Sequence, residues 1–214
     1  MTDAWPQLLE GAVTTVQLTA AAAVLSLVVG LLSAMLQLSR VPGGYWISRV
    51  YVSAMRGTPI LVQLFVVFFG LPLIGIRDQN FLAATLAIGL NSGAFVTEII
   101  RASVAAVPHG EVEAAESIGM GKRHVWQRVV LPRALVTSLP ALTNEFTILL
   151  KATPLASVVA VTELTYAGQL VISRTFEPVE ILLTIAATYI VIALTLSQLS
   201  RWLERRYAVL WAGS

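Results

Sequence analysis

Runs without a charged residue dominate this chain, and the charged positions are confined to the gaps between them. The runs are Gly11 to Ser39, Gly57 to Ile76, Gln79 to Thr97, Ala134 to Asn144, Ala152 to Thr162 and Ile181 to Ser200. Crossing the hydrocarbon core of a bilayer takes about 20 predominantly apolar residues in a helix. Four of the runs reach that length alone. The fourth and fifth are short pieces separated by Glu145 and Lys151, and together they make one discontinuous segment. The pattern predicts an all-α membrane protein of five crossings, at 12–39, 57–76, 80–105, 134–158 (broken) and 181–203, in a single domain over 1–214. The first run is expected to stay as a span rather than act as a cleaved signal, because Asp3 and Glu10 stand where a basic leader belongs and the run is too long.

Between the third and fourth crossings the pattern changes. Pro108-His109-Gly110 signals a loop, and residues 111–119 are good helix formers ending in a glycine suited to a left-handed cap. Val112, Ala115 and Ile118 recur at three-residue spacing on one face, while Glu113 and Glu116 edge another. The pattern predicts a short helix outside the membrane that can enter a partner's groove.

Composition sharpens this picture. The chain of 214 residues is 57% hydrophobic and 12% charged, with a mean hydropathy of +0.79, which excludes a soluble domain, a disordered chain and a nucleic-acid binder. It has no cysteine, hence no disulfide or thiolate metal site. Net charge is only +2, but the distribution is informative. With the N-terminus outside, Arg40, Arg49, Arg56, Arg101, Lys122, Arg123, Arg128, Arg133, Arg201, Arg205 and Arg206 fall in the cytoplasm, and only Arg77 and Arg174 fall outside. Basic residues set orientation, so the N-terminus is expected outside and the C-terminus inside. Acidic flanks Asp3, Glu10, Asp78, Glu163, Glu177 and Glu180 then lie outside.

Glu113-Ala114-Ala115, three residues, Gly119, nine residues, Val129, one residue, Leu131-Pro132 resembles the EAA loop of ATP-binding-cassette importer permeases, with Val in place of the usual Ile. Arg56-Gly57-Thr58-Pro59-Ile60-Leu61-Val62-Gln63 resembles the RGTP-LLVQ segment of the histidine, arginine and glutamine uptake branch. Thr58 fits an N-cap and Pro59 a first helical position, so this segment is expected to start the second span. Asn144-Glu145, Lys151-Ala152-Thr153-Pro154-Leu155 and Glu163-Leu164 are similar to the same branch, departing from it at Ala152 and Pro154.

The resemblance implies a type I importer transmembrane domain in the bacterial inner membrane, moving polar amino acids or related zwitterions by alternating access. It implies two ATPase partners that hold ATP and magnesium, a second permease (an identical copy or a paralogue), and an extracytoplasmic solute-binding protein. Glu113, Ala114, Ala115, Gly119, Leu131 and Pro132 are the ATPase-coupling candidates. No cofactor is expected on this chain, and no catalytic or metal site. Gly121-Lys122 is followed by Arg123 and lacks the phosphate-loop pattern, so the chain is expected to have no ATPase of its own.

Ionisable groups in spans need an explanation. Asn91, Ala94, Glu98 and Arg101 share a helical face that either lines a solute route or holds a Glu98–Arg101 pair. Gln63, Asn91, Glu98, Asn144 and Glu145 are the candidate route residues. Glu145 and Lys151 lie in the segment expected to be broken by Pro140 and Pro154, and fit either a ligand site on a discontinuous helix or an ionic clasp between subunits. Gly89 and Gly93 form a GxxxG pair expected to pack against another helix. His109 and His124 are expected at the surface. The alternative function is an ion-coupled secondary transporter of small zwitterions, for which inverted repeats are wanting. An intramembrane hydrolase fits less well, lacking histidine at membrane depth.

Overall fold

A stripe of small side chains on the first helix organises the bundle. In the computed structural model, which describes residues 4–39, 41–77 and 79–211, helix α1 (Ala4–Leu38) buries Gly11, Thr15, Leu18, Ala22, Ser26, Gly30 and Ser33 along one face. Val13, Val16, Val24, Val28 and Leu32 point outward. Asp3, Arg40 and Asp78, which entered the count of flanking charges, lie outside the described residues, as does the side chain of Arg205. The buried stripe packs on α4 (Asn80–Ala105), the most extensive helix pairing in the molecule. Lipid tails are as apolar as leucine, so helix association in a bilayer depends on close packing and small residues. Gly89 and Gly93 meet α1 as the GxxxG spacing predicts. A Cβ at Gly89 would stand 2.8 Å from Leu25 Cδ2 and 3.1 Å from the Ala22 carbonyl oxygen.

The second crossing differs from its expected bounds. Residues 40–56 were expected to flank a span beginning at Gly57, but helix α2 (Gly44–Gly57) occupies most of them and packs on α1 and α4. Ser33 and Ser48 hydroxyls are 2.6 Å apart, and Tyr51 donates to the Leu90 carbonyl at 2.6 Å. Helix α3 (Ile60–Gly70) follows at 109° to α2, extended by a 3-10 turn at Leu71–Ile74. The bend sits where Pro59 forbids helical geometry to the residue before it. Thr58 is therefore extended and closes α2 instead of opening α3, and Pro59 takes the N-cap position expected for Thr58.

After α4, helix α5 (His109–Ser117) and the short α6 (Lys122–Val125) form the loop, and a π-turn at Trp126–Val130 leads into α7 (Leu131–Ala152). Pro140 was expected to break this segment, yet α7 continues through it. The change comes at Thr153–Val159, a 3-10 stretch entered at Pro154, followed by α8 (Leu164–Thr175) and the long α9 (Pro178–Trp211). Among the described residues, three helices, α1, α4 and α9, are long and apolar enough to cross a membrane as single pieces. Counting the bent pairs Gly44–Ile74 and Lys122–Thr175 as one span each gives five.

Gly89→Leu is expected to cost about 1–3 kcal/mol through overpacking against α1. Gly70→Leu, a position with no neighbour within 4 Å, is expected to be near neutral. Denaturation midpoints of the detergent-solubilised chain compare the two.

Candidate functional site

Helix α5 is held at the end of the bundle by a small apolar joint. Val107, Ala115, Val125, Val130 and Ala134 are buried together, with Val104, Val112, Met120 and Val129 packed around them. The joint thus touches the end of α4, the loop and the start of α7. Of the Glu113-Ala114-Ala115 triplet only Ala115 faces inward; Glu113 and Ala114 are exposed. Glu111 reaches Arg133 at 3.4 Å, an exposed pair of small energetic weight.

The end of α5 explains Gly119. The Gly119 amide donates to the Glu116 carbonyl at 3.0 Å and the Met120 amide to the Ala115 carbonyl at 3.2 Å. This is the Schellman arrangement, and it requires a left-handed residue, here Gly119 at φ +85°. Met120 folds back on the joint beside Ala115. The helix stops at Ser117, two residues short of the expected end, and the turn swings Ile118 away from the Val112–Ala115 face on which it was placed. Ile118 is 78% exposed. Leu131 and Pro132 open α7, where the Leu131 amide reaches back to the Trp126 carbonyl across the π-turn.

The expected route residues fall into two groups. Gln63 and Asn91 sit at the α2–α3 bend. Gln63 Nε2 donates to the Met55 carbonyl at 2.8 Å and to Thr58 Oγ1 at 2.8 Å, and Asn91 Nδ2 donates to Met55 O at 3.0 Å and Gln63 Oε1 at 3.1 Å. These amides satisfy backbone groups that the bend releases. Glu98, Asn144 and Glu145 instead line one groove of about 570 Å³ between α4 and α7, together with Arg56, Phe95 and Arg101. Glu98 and Arg101 pair at 2.7 Å, and buried Glu145 accepts from Ser92 Oγ at 2.7 Å. Lys151 is exposed and lines a separate apolar pocket with Pro154 and Tyr189.

A loop helix seated on the joint between two spans, beneath a polar groove, is the geometry of a transport component, and comparison with known proteins agrees. The family model described as binding-protein-dependent transport system inner membrane component matches residues 7–209. The chain belongs to this family. It is a multi-pass permease of the inner membrane and has no ATPase of its own. It is 39% identical to the L-cystine transport system permease protein TcyB of Bacillus subtilis (strain 168), over 94% of this chain and 87% of that protein. It is 38% identical to the glutamine transport system permease protein GlnP of Escherichia coli (strain K12), over 96% and 94%. The fold matches the crystal structure of an amino acid ABC transporter with histidines at a TM-score of 0.90 and 36% identity, covering 96% of each chain.

One polar centre of the permease was missed as such. Glu163, expected as an acidic flank and quoted in the Glu163-Leu164 match, is fully buried. It caps α8 by accepting from the Thr165 and Tyr166 amides, both at 2.9 Å, and takes the Tyr189 hydroxyl at 2.8 Å. Thr15 on α1 accepts the Leu164 amide at 3.0 Å beside it. An acid directly before a helix was the available signal; its partner Tyr189, 26 residues on, had none. Glu163→Ala is expected to destabilise the permease by about 2 kcal/mol or more, by stranding these donors, and Tyr189→Phe by about 1 kcal/mol. Thermal unfolding in detergent gives both values.

Proposed function

We propose that this permease takes up polar amino acids, or zwitterions closely resembling them, as one of two permeases joined to two ATPase subunits and an extracytoplasmic solute-binding protein. The N-terminus faces outward, and the α5 end of the bundle and the C-terminus face the cytoplasm, as the distribution of arginine and lysine favours. ATP and magnesium reside on the ATPases. The relatives transporting cystine and glutamine support the substrate class.

The observation that carries this reading is α5. Glu113, Glu116 and Ile118 point away from the protein while Ala115 roots it between α4 and α7. A partner gripping the exposed face moves both spans through the joint. In this mechanism the ATPases close on binding ATP, α5 is displaced with them, and the cavity between the two permeases changes the side to which it opens. Glu113, Ala114, Ala115 and Gly119 form the docking helix, and Leu131 and Pro132 transmit its motion into α7. Glu98, Asn144 and Glu145 line the solute route, with Gln63 and Asn91 fixing the bend beside it.

Gly119→Asp strains the left-handed turn and adds a negative charge at the helix C-terminus, where the dipole disfavours it. Receptor-stimulated ATP hydrolysis by the assembled transporter is expected to fall about tenfold, equivalent to about 1.4 kcal/mol, with membrane insertion unchanged. Full hydrolysis and transport in this variant contradict the role given to the turn. In proteoliposomes, uptake is expected to need ATP on the α5 side and to persist when ion gradients are collapsed. Uptake that follows an ion gradient instead supports the secondary-carrier alternative. Glu98→Gln is expected to weaken transport affinity; wild-type affinity removes Glu98 from the route.

A further inference from the structure

Helix α9 packs on α7 and α8 but barely meets α1, and a groove of about 380 Å³ lies between the three helices α1, α7 and α9. Val16 and Ala20 line it from α1, Phe146 and Leu150 from α7, and Leu196 and Leu199 from α9. The polar side chains in this lining, Thr19 and Thr195, are closed on their own helices. Thr19 Oγ1 donates to the Thr15 carbonyl at 2.7 Å and Thr195 Oγ1 to the Val191 carbonyl at 2.8 Å. Water or a zwitterion needs convergent polar partners, which this lining does not offer. A cleft of this chemistry at membrane depth takes hydrocarbon.

The molecule that supplies the hydrocarbon is marked further along α9. Trp202 stands three residues past Leu199, and Arg206 four past Trp202, so both continue the groove-lining face of the helix towards the α5 end of the bundle. Trp202 is exposed, and the Arg206 guanidinium lies 5.4 Å from the centroid of its ring. Among the described residues no acid forms an ion pair with Arg206. At 1.5 Å per residue, Arg206 stands about 10 Å beyond the end of the groove. Hydrocarbon slot, aromatic ring and cation follow one another in the order of acyl chain, glycerol backbone and phosphate.

We propose that the groove between α1, α7 and α9 seats an acyl chain of an anionic phospholipid, with its glycerol region against Trp202 and its phosphate on Arg206. The rival occupant is a helix of a second copy of this chain. The lined stretch of α9, Val191 to Leu199, is about 12 Å long, and a helix with its side chains is about 10–12 Å wide. About 380 Å³ over that length makes a slot for an alkyl chain, not for a helix. Arg201, two residues past Leu199, lies on the opposite side of α9 and serves as a control.

The test is titration of the complete transporter, purified in detergent and stripped of lipid, with phosphatidylglycerol or phosphatidylethanolamine of identical acyl chains. Native mass spectrometry counts the tightest-bound lipid. The wild type is expected to bind phosphatidylglycerol at least about tenfold more tightly. Arg206→Gln is expected to reduce that preference to within about twofold, while Arg206→Lys, still a cation for phosphate, keeps most of it. Arg201→Gln is expected to leave it unchanged. Ala20→Phe, at an exposed position in the groove, is expected to weaken both lipids at least about tenfold. Thr195→Trp does the same from the opposite wall if the first variant does not assemble. Equal binding of the two lipids by the wild type, or full preference in Arg206→Gln, overturns the headgroup contact. Lipid binding that neither groove-filling variant weakens overturns the seat, and if pairing of the permeases is lost instead, the groove belongs to the second copy.

Discussion

The apolar joint of Val107, Ala115, Val125, Val130 and Ala134 is the contact through which the loop helix and the membrane bundle become one mechanical body. Its contributors come from the end of α4, from α5 and α6, and from the start of α7. Dense packing of small residues transmits a displacement, because interiors have no slack to absorb it. The Schellman turn at Gly119 belongs to the same device, since it brings Met120 back onto Ala115 and closes the joint. Outside the joint, Glu113 and Glu116 of α5 and Ile118 just past its end are exposed, groups that suit a partner.

Above the joint, the bundle combines a rigid pair with two broken elements. Small residues lock α1 against α4, and α2–α3 and α7–α8 bend around that pair. Backbone groups released inside a bilayer must find partners within the protein. At the first bend Gln63 and Asn91 supply them, at the Met55 carbonyl and Thr58. At the second, Glu163 caps α8 and Thr15 receives Leu164. The polar groove itself is lined by α4 and α7, and the first bend adds Arg56 from the last turn of α2.

The helices that one continuous apolar run encodes were legible in the sequence. Residues 80–105 coincide with α4, and the Glu113-Ala114-Ala115 helix and its Gly119 cap follow from local chemistry alone. What escaped was decided over longer distances. Helix α2 carries Arg49 and Arg56, which a hydropathy pattern assigns to a flank, and it is helical because Ser48, Tyr51 and Val52 meet α1 and α4. Pro140 looked like a break, but only the proline at position 154 coincides with one. Ile118 was placed by spacing on one face with Val112 and Ala115, and the very glycine read as a cap turns it away from them. Ser92 as the partner of Glu145 and Tyr189 as the partner of Glu163 lie 53 and 26 residues away, beyond any local pattern.

The central claim is that α5 moves with the ATPases and carries α4 and α7 with it. The chain has no native cysteine, so Gly110→Cys, at an open position in the first turn of α5, gives one spin-label site per permease. Pulsed electron spin resonance on the assembled transporter then reads the distance between the two loop helices. That distance should shorten when ATP binds and recover after hydrolysis. An unchanged distance in a complex that hydrolyses ATP and imports its solute would contradict the mechanism.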